Sequence, residues 1–145
     1  MQTAKWASFA LALLITYPAL AAETTELRIV VEGATPGNGS VILSLFDSQE
    51  NYLKTPLLER VQATDERGMA EFLLLEITPT SYAIAVVDDA DNDGKMNTGF
   101  MGIPTEKVGF SNNARGRFGP PKFEAAVFEL SAPTTISIRL GKAKN

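Results

Sequence analysis

Over residues 26–32 apolar and charged side chains alternate, with Leu27, Ile29 and Val31 falling on one side. Successive side chains of an extended chain point to opposite faces, so a period of two predicts a half-buried strand. Pro36-Gly37-Asn38-Gly39 is a dense turn signal, and Ser40-Val41-Ile42-Leu43-Ser44-Leu45-Phe46 follows as a second strand. The two read as an antiparallel hairpin. The pattern is weakest over residues 47–64, where Tyr52-Leu53 and Leu57-Leu58 are apolar but Pro56 interrupts any regular element. A loop leading into a short strand over residues 58–63 is expected there.

Glu66-Arg67-Gly68 turns the chain, and residues 70–77 are then almost continuously apolar. Such a run fits a strand buried on both faces; a helix would tolerate it too, but its brevity and Pro79 favour the strand. Residues 82–87 form the next strand, with Tyr82, Ile84 and Val86 sharing a face, and they run directly into Asp88. Beyond it, Gly102-Ile103-Pro104 and residues 116–121 are too rich in Gly and Pro for regular structure. Residues 125–130 and 134–140 alternate again, so that Ala126, Phe128 and Leu130 face Ile136, Ile138 and Leu140, with Pro133 at the turn.

About seven short strands separated by turn signals, with no amphipathic helix, predict an all-β, antiparallel β-sandwich, Ig-like in kind. A length of 145 residues with 45% apolar and 21% charged positions suits one globular domain with a single core. The excursion over residues 88–124 is long for so compact a fold, and loops of that length without structure of their own tend to be functional or disordered.

The amino terminus is read separately. Lys5 supplies a positive charge, residues 6–17 run almost without polarity, and Ala19-Leu20-Ala21 is a small-x-small cleavage site. Residues 1–21 are therefore expected to be a signal peptide, leaving 22–145 as the mature, periplasmic or secreted domain. The apolar stretch is shorter than the roughly 20 residues a membrane-spanning helix needs. With no Cys in the chain, neither a lipid-bearing cysteine nor a disulfide is available. Loss of Lys5 with the leader takes the formal net charge from −4 to −5. That balance argues against nucleic acid and, once the leader is gone, against an anionic membrane as global partners.

The strongest chemical signal is Asp88-Asp89-Ala90-Asp91-Asn92-Asp93-Gly94. Counted from Asp89, it has the first half of an EF-hand loop: carboxylates at alternate positions and glycine at the sixth for the bend. Lys95 would offer its backbone carbonyl and Asn97 an amide oxygen. The twelfth position is Phe100 where an EF-hand has glutamate, so Glu106 is the candidate for the missing carboxylate. Asp89, Asp91, Asp93, Lys95, Asn97 and Glu106 thus form a candidate Ca²⁺ site. The chain has no His and no Cys, which leaves oxygen-preferring ions. The competing reading is that the aspartates cap turns in solvent.

Lys107, Arg115, Arg117 and Lys122 form a basic run without an acid, which would either fold back on the aspartates or receive an anionic ligand or glycan. Met96, Phe100, Met101, Phe110, Phe118 and Phe123 are expected to pin the loop to the sandwich; the alternative is an aromatic surface for sugars or peptides.

Several of these stretches carry a family resemblance. Asp89 to Gly94 with Lys95-Met96-Asn97-Thr98, Gly102-Ile103-Pro104-Thr105-Glu106, Gly109-Phe110-Ser111-Asn112-Asn113-Ala114 and Phe118-Gly119-Pro120-Pro121-Lys122-Phe123 resemble the bacterial exported family called domain of unknown function two-one-four-one. Gly39-Ser40-Val41 leading to Leu45-Phe46 is similar too. The resemblance implies a small exported sandwich of transthyretin-like topology and brings no activity with it. The chain departs from the pattern at Asp88, where the family commonly has His, at Asn97, where it often has Asp, and at Gly99, where it often has Asn. Thr80-Ser81-Tyr82 lacks the usual glycine. Asp88 would compensate for the carboxylate lost at Asn97 if it pointed into the site.

These readings together predict an exported, non-catalytic binding or accessory domain, its partner a protein, a glycan or a small molecule. The alternative is a hydrolase using a carboxylate pair such as Asp89 and Glu106. Without His or Cys a nucleophilic triad is unavailable.

Overall fold

A computed structural model describes residues 23–143; the expected signal peptide lies outside them. The strands are β1 (Thr25–Glu32), β2 (Ser40–Phe46), β3 (Leu58–Ala63), β4 (Met69–Ile77), β5 (Thr80–Asp89), β6 (Lys107–Phe110), β7 (Phe128–Leu130), β8 (Thr134–Arg139) and β9 (Gly141–Lys142). They form a two-sheet sandwich. One sheet has the order β4-β1-β8, the other β3-β2-β5-β6-β9, with β7 also pairing with β5.

The core lies between the sheets and is built by alternation. Leu27, Ile29 and Val31 of β1 meet Val41, Leu43 and Leu45 of β2 and Tyr82, Ile84 and Val86 of β5, closed by Phe72, Leu74, Leu130 and Ile138. Full burial of an aliphatic or aromatic side chain contributes roughly 1.5–3 kcal/mol, so this layer dominates the folding energy.

Four expectations are corrected. First, β1 and β2 do not form a hairpin: β1 pairs with β4 and β8, while β2 pairs with β3 and β5. Their apolar faces bury more by facing each other across the core than by lying side by side. Residues 33–39 are therefore an arch between sheets, beginning at Gly33 with φ +86° and plugged by buried Ala34.

Second, β4 is buried on one face only. Ala70, Phe72 and Leu74 point inward while Leu73 and Leu75 are exposed. The strand with apolar side chains on both faces is β5, whose Ala83 and Ala85 face away from the core toward a second apolar layer, with Val87 half-buried beyond it. Third, residues 125–130 do not form one strand. Phe123–Ala126 is a helical turn (α1), and only Phe128–Leu130 is extended. The segment also does not pair with β8, which lies parallel beside β1, although Phe128 and Leu130 share the core with Ile136, Ile138 and Leu140. Fourth, β6 and β9 raise the number of strands to nine among the described residues.

The second apolar layer consists of Phe46, Tyr52, Ala83, Phe110 and Ala126 with Phe123 packed on them. Tyr52 makes edge-on ring contacts with Phe46 at 5.4 Å and Phe123 at 5.5 Å. Its hydroxyl is buried without a hydrogen-bond partner among the described residues, and desolvation pushes its pKa up to about 12.

Gly-Phe-Ser-Asn-Asn has an architectural explanation. Ser111 is fully buried; its Oγ accepts from the Ile84 N–H at 2.9 Å and donates to the Ala126 carbonyl. Asn112 and Asn113 lie at positive φ in a 3-10 turn, a region that Asn tolerates better than most residues. Asn112 Nδ2 donates to the carbonyls of Ala125 and Val127, and Asn113 Oδ1 accepts from the Arg139 N–H at 2.8 Å. Three consecutive polar side chains thus join β5, α1 and β8 where no strand ladder reaches.

Candidate functional site

Strand β5 ends at Asp89, and the acidic loop starts from its last pair of residues. Asn92 at φ +55° and Gly94 at φ +76° bend the outgoing limb sharply. The returning limb has structure of its own. Thr98 and Pro104 form a bridge, the Gly99 N–H donates to the Ile103 carbonyl at 2.8 Å, and a 3-10 turn at Phe100–Gly102 closes the tip. The expectation of irregular chain around 102–104 is corrected to that extent.

Glu106 lies at the foot of the returning limb and draws the two limbs together. Its Oε1 accepts from the Ala90 N–H at 3.3 Å and its Oε2 from the Asn97 N–H at 3.0 Å. Asp89, only 1% exposed, accepts from the N–H groups of Asp93 at 3.1 Å and Gly94 at 3.0 Å. Asp91 accepts from the Asp93 N–H and from Asn97 Nδ2, the latter at 3.0 Å. Carboxylate oxygens of Asp89, Asp91 and Glu106 thereby come within 4.8 Å of one another.

Of the six residues singled out in the sequence, these three converge and Asn97 holds two of them. Asp93 is not part of the cluster: its Oδ1 accepts from the Lys95 N–H at 2.8 Å, a turn-capping role. Lys95 enters only through that turn.

Asp88 is turned away from the cluster, which corrects the idea that it replaces a missing carboxylate. Adjacent strand residues point to opposite faces. Its oxygens accept from the Thr35 N–H and Thr35 Oγ1, both at 2.9 Å, and lie 3.4 Å from Lys107 Nζ. Asp88 therefore fastens the arch between β1 and β2.

Among the described residues the basic run meets the acidic run at Asp88 alone, through Lys107, and leaves the cluster without a cation. Lys107 is taken by Asp88 and the Gly33 carbonyl, and Arg115 Nη2 donates to the Arg139 carbonyl. Among the described residues no Lys or Arg forms an ion pair with Asp89, Asp91 or Glu106. The aromatic residues divide: Phe110 and Phe123 belong to the second apolar layer, but Phe100, Met101 and Phe118 are almost fully exposed. They pin nothing, against the expectation.

A general acid or base must reach the substrate within hydrogen-bonding distance, whereas Asp89 is enclosed and turned onto backbone amides. Amide donors suit a fixed ligand better, because they orient a carboxylate while leaving it lone pairs.

A family model described as an uncharacterized protein conserved in bacteria (DUF2141) matches residues 29–137, from β1 through the acidic loop into β8. The chain belongs to that family. No curated protein and no solved structure matches it.

Proposed function

We propose that this family member is an exported, non-catalytic binding or accessory domain whose acidic loop is ordered by one Ca²⁺ ion. The observation that carries the reading is the convergence of Asp89, Asp91 and Glu106 within 4.8 Å, without a basic partner among the described residues. Two unit charges 4 Å apart repel by about 1 kcal/mol in water and about 4 kcal/mol near a protein surface, so such a cluster gains from a hard cation. Ca²⁺ takes roughly six to eight oxygens. Asp89, Asp91 and Glu106 supply carboxylates, and the loop spacing assigns the Lys95 carbonyl and the Asn97 amide oxygen as further donors. The leader features at residues 1–21 support export, and extracellular calcium modules bind at about 0.1–1 mM.

Calorimetry on the purified, chelator-treated protein tests this. One saturable calcium site in that concentration range is expected, with a rise in melting temperature and loss of the heat in Asp91→Asn and Glu106→Gln. No heat and an unchanged melting temperature at millimolar calcium would overturn it.

A further inference from the structure

The outward face of the larger sheet is apolar where a sandwich normally presents polar side chains to water. Ile42 of β2, Ala85 and Val87 of β5, and Val108 of β6 form a continuous floor. Met96 and Ile103 of the acidic loop and Phe118 and Pro120 of the following Gly- and Pro-rich segment line it as well, around a half-open groove of about 770 Å³. That lies inside the roughly 300–1,000 Å³ typical of small-molecule sites. At the mouth, Met101 and Phe118 are each 82% exposed, a costly placement for large apolar side chains unless something covers them.

The polar groups around the groove are biased toward one sign. Lys54, Arg115 and Lys142 line it against a single acid, Glu59, although the whole chain is acidic. Among the described residues none of the three cations forms an ion pair. Backbone groups on the floor offer little, because β2 and β5 are interior strands paired on both sides. An added peptide strand would find a free ladder only at the sheet edges, β3 and β9, and not on this floor. An aliphatic chain needs none.

We propose that this groove binds a free single-chain anionic amphiphile, of which a long-chain carboxylate is the simplest. Its chain lies on the outer faces of β2, β5 and β6, and its head group meets Lys54, Arg115 and Lys142. The inference supplies a ligand class for the binding-domain reading on which it rests. It does not depend on calcium, although the acidic loop contributes to the lining.

Titration calorimetry of the mature protein with dodecanoate, in calcium and separately in chelator, tests the inference. Saturable binding in either buffer is expected, about tenfold or more tighter than dodecyltrimethylammonium, a difference of about 1.4 kcal/mol. Met101→Asp and Phe118→Asp change exposed positions that carry no core packing, and each should weaken binding by about tenfold or more. Arg115→Gln combined with Lys142→Gln should erase the preference for the anion. Absence of dodecanoate binding in both buffers, equal affinity for the cationic probe, or insensitivity to all these substitutions would overturn the proposal. So would sedimentation with anionic phospholipid vesicles in the absence of binding to free dodecanoate. A failed calcium titration beside intact dodecanoate binding would remove the metal alone.

Discussion

Asp88 and Asp89 are neighbours in sequence, both essentially inaccessible to solvent, and they fasten different parts of the molecule. Asp88 grips Thr35 and Lys107 in the arch between the sheets, whereas Asp89 grips the amides of Asp93 and Gly94 in the acidic loop. The strand pleat makes the division, because consecutive side chains cannot serve the same side.

The two aspartates should therefore separate stability from metal affinity. Asp88→Ala removes a charged acceptor from two donors at 2.9 Å and should cost about 2–3 kcal/mol in denaturant unfolding. Its calcium affinity should stay within about threefold of the parent, less than 1 kcal/mol. Asp89→Asn should do the reverse and weaken calcium by about tenfold or more. Equal loss of calcium affinity in both variants would show that the division is wrong.

Tyr52 offers a test of the second apolar layer. Its hydroxyl is buried and, among the described residues, unpartnered, and an unpaired buried hydroxyl costs about 1–3 kcal/mol. Tyr52→Phe keeps the ring contacts with Phe46 and Phe123 and should raise the melting temperature by a few degrees, about 2–4 °C per kcal/mol. A fall in melting temperature would mean that the hydroxyl has a partner.

Acid unfolding should carry the signature of Asp65 in the turn between β3 and β4. The Met69 N–H is the largest influence on its carboxyl; burial, the next, opposes it, and the N–H and guanidinium of Arg67 join Met69 in holding the group below the ordinary 3.8. A folded-state pKa lower than the unfolded one means that the folded state favours the ionised form. The contribution is complete above the unfolded value and disappears as pH falls below 3.8 through the folded value. Asp65→Asn should be less stable than the parent at neutral pH, and the two stability curves should converge as the medium is acidified through that range. Parallel curves over the whole range would contradict the assignment. Gly68 completes the same turn at φ +73°, and a Cβ there would sit 2.3 Å from the Ala34 carbonyl oxygen.

Much of the fold was legible in the sequence because alternation survives wherever one face of a strand meets the core. Residues 58–63, beside a proline in a poorly patterned stretch, form β3 with the expected bounds. Pairing was less legible. Pro36-Gly37-Asn38-Gly39 turns the chain equally well into a hairpin or into an arch between sheets, and only the packing of β1 against β2 across the core selects the arch. Continuous apolarity misled at residues 70–77, where Leu73 and Leu75 face solvent, while Tyr82-Ala83-Ile84-Ala85-Val86-Val87 carried the two-sided burial.

At the candidate site, spacing was enough to find Asp89 and Asp91, and scarcity of other acids in the loop was enough to find Glu106. Asp93 caps a local turn by accepting from the Lys95 N–H, but the direction of Asp88 and the partners of Lys107 depend on contacts with Thr35 and Gly33, more than 50 residues away. No local pattern records those contacts. The apolar groove was missed because its floor comes from three separated strands, each of which reads as ordinary core.

The most direct measurement is an anomalous difference map from crystals of the mature protein grown in millimolar calcium. A single peak is expected between Asp89, Asp91 and Glu106, with oxygens at about 2.3–2.6 Å. A map without that peak, with the three carboxylates still together and the loop still closed by Glu106, would contradict calcium as the ion that orders it.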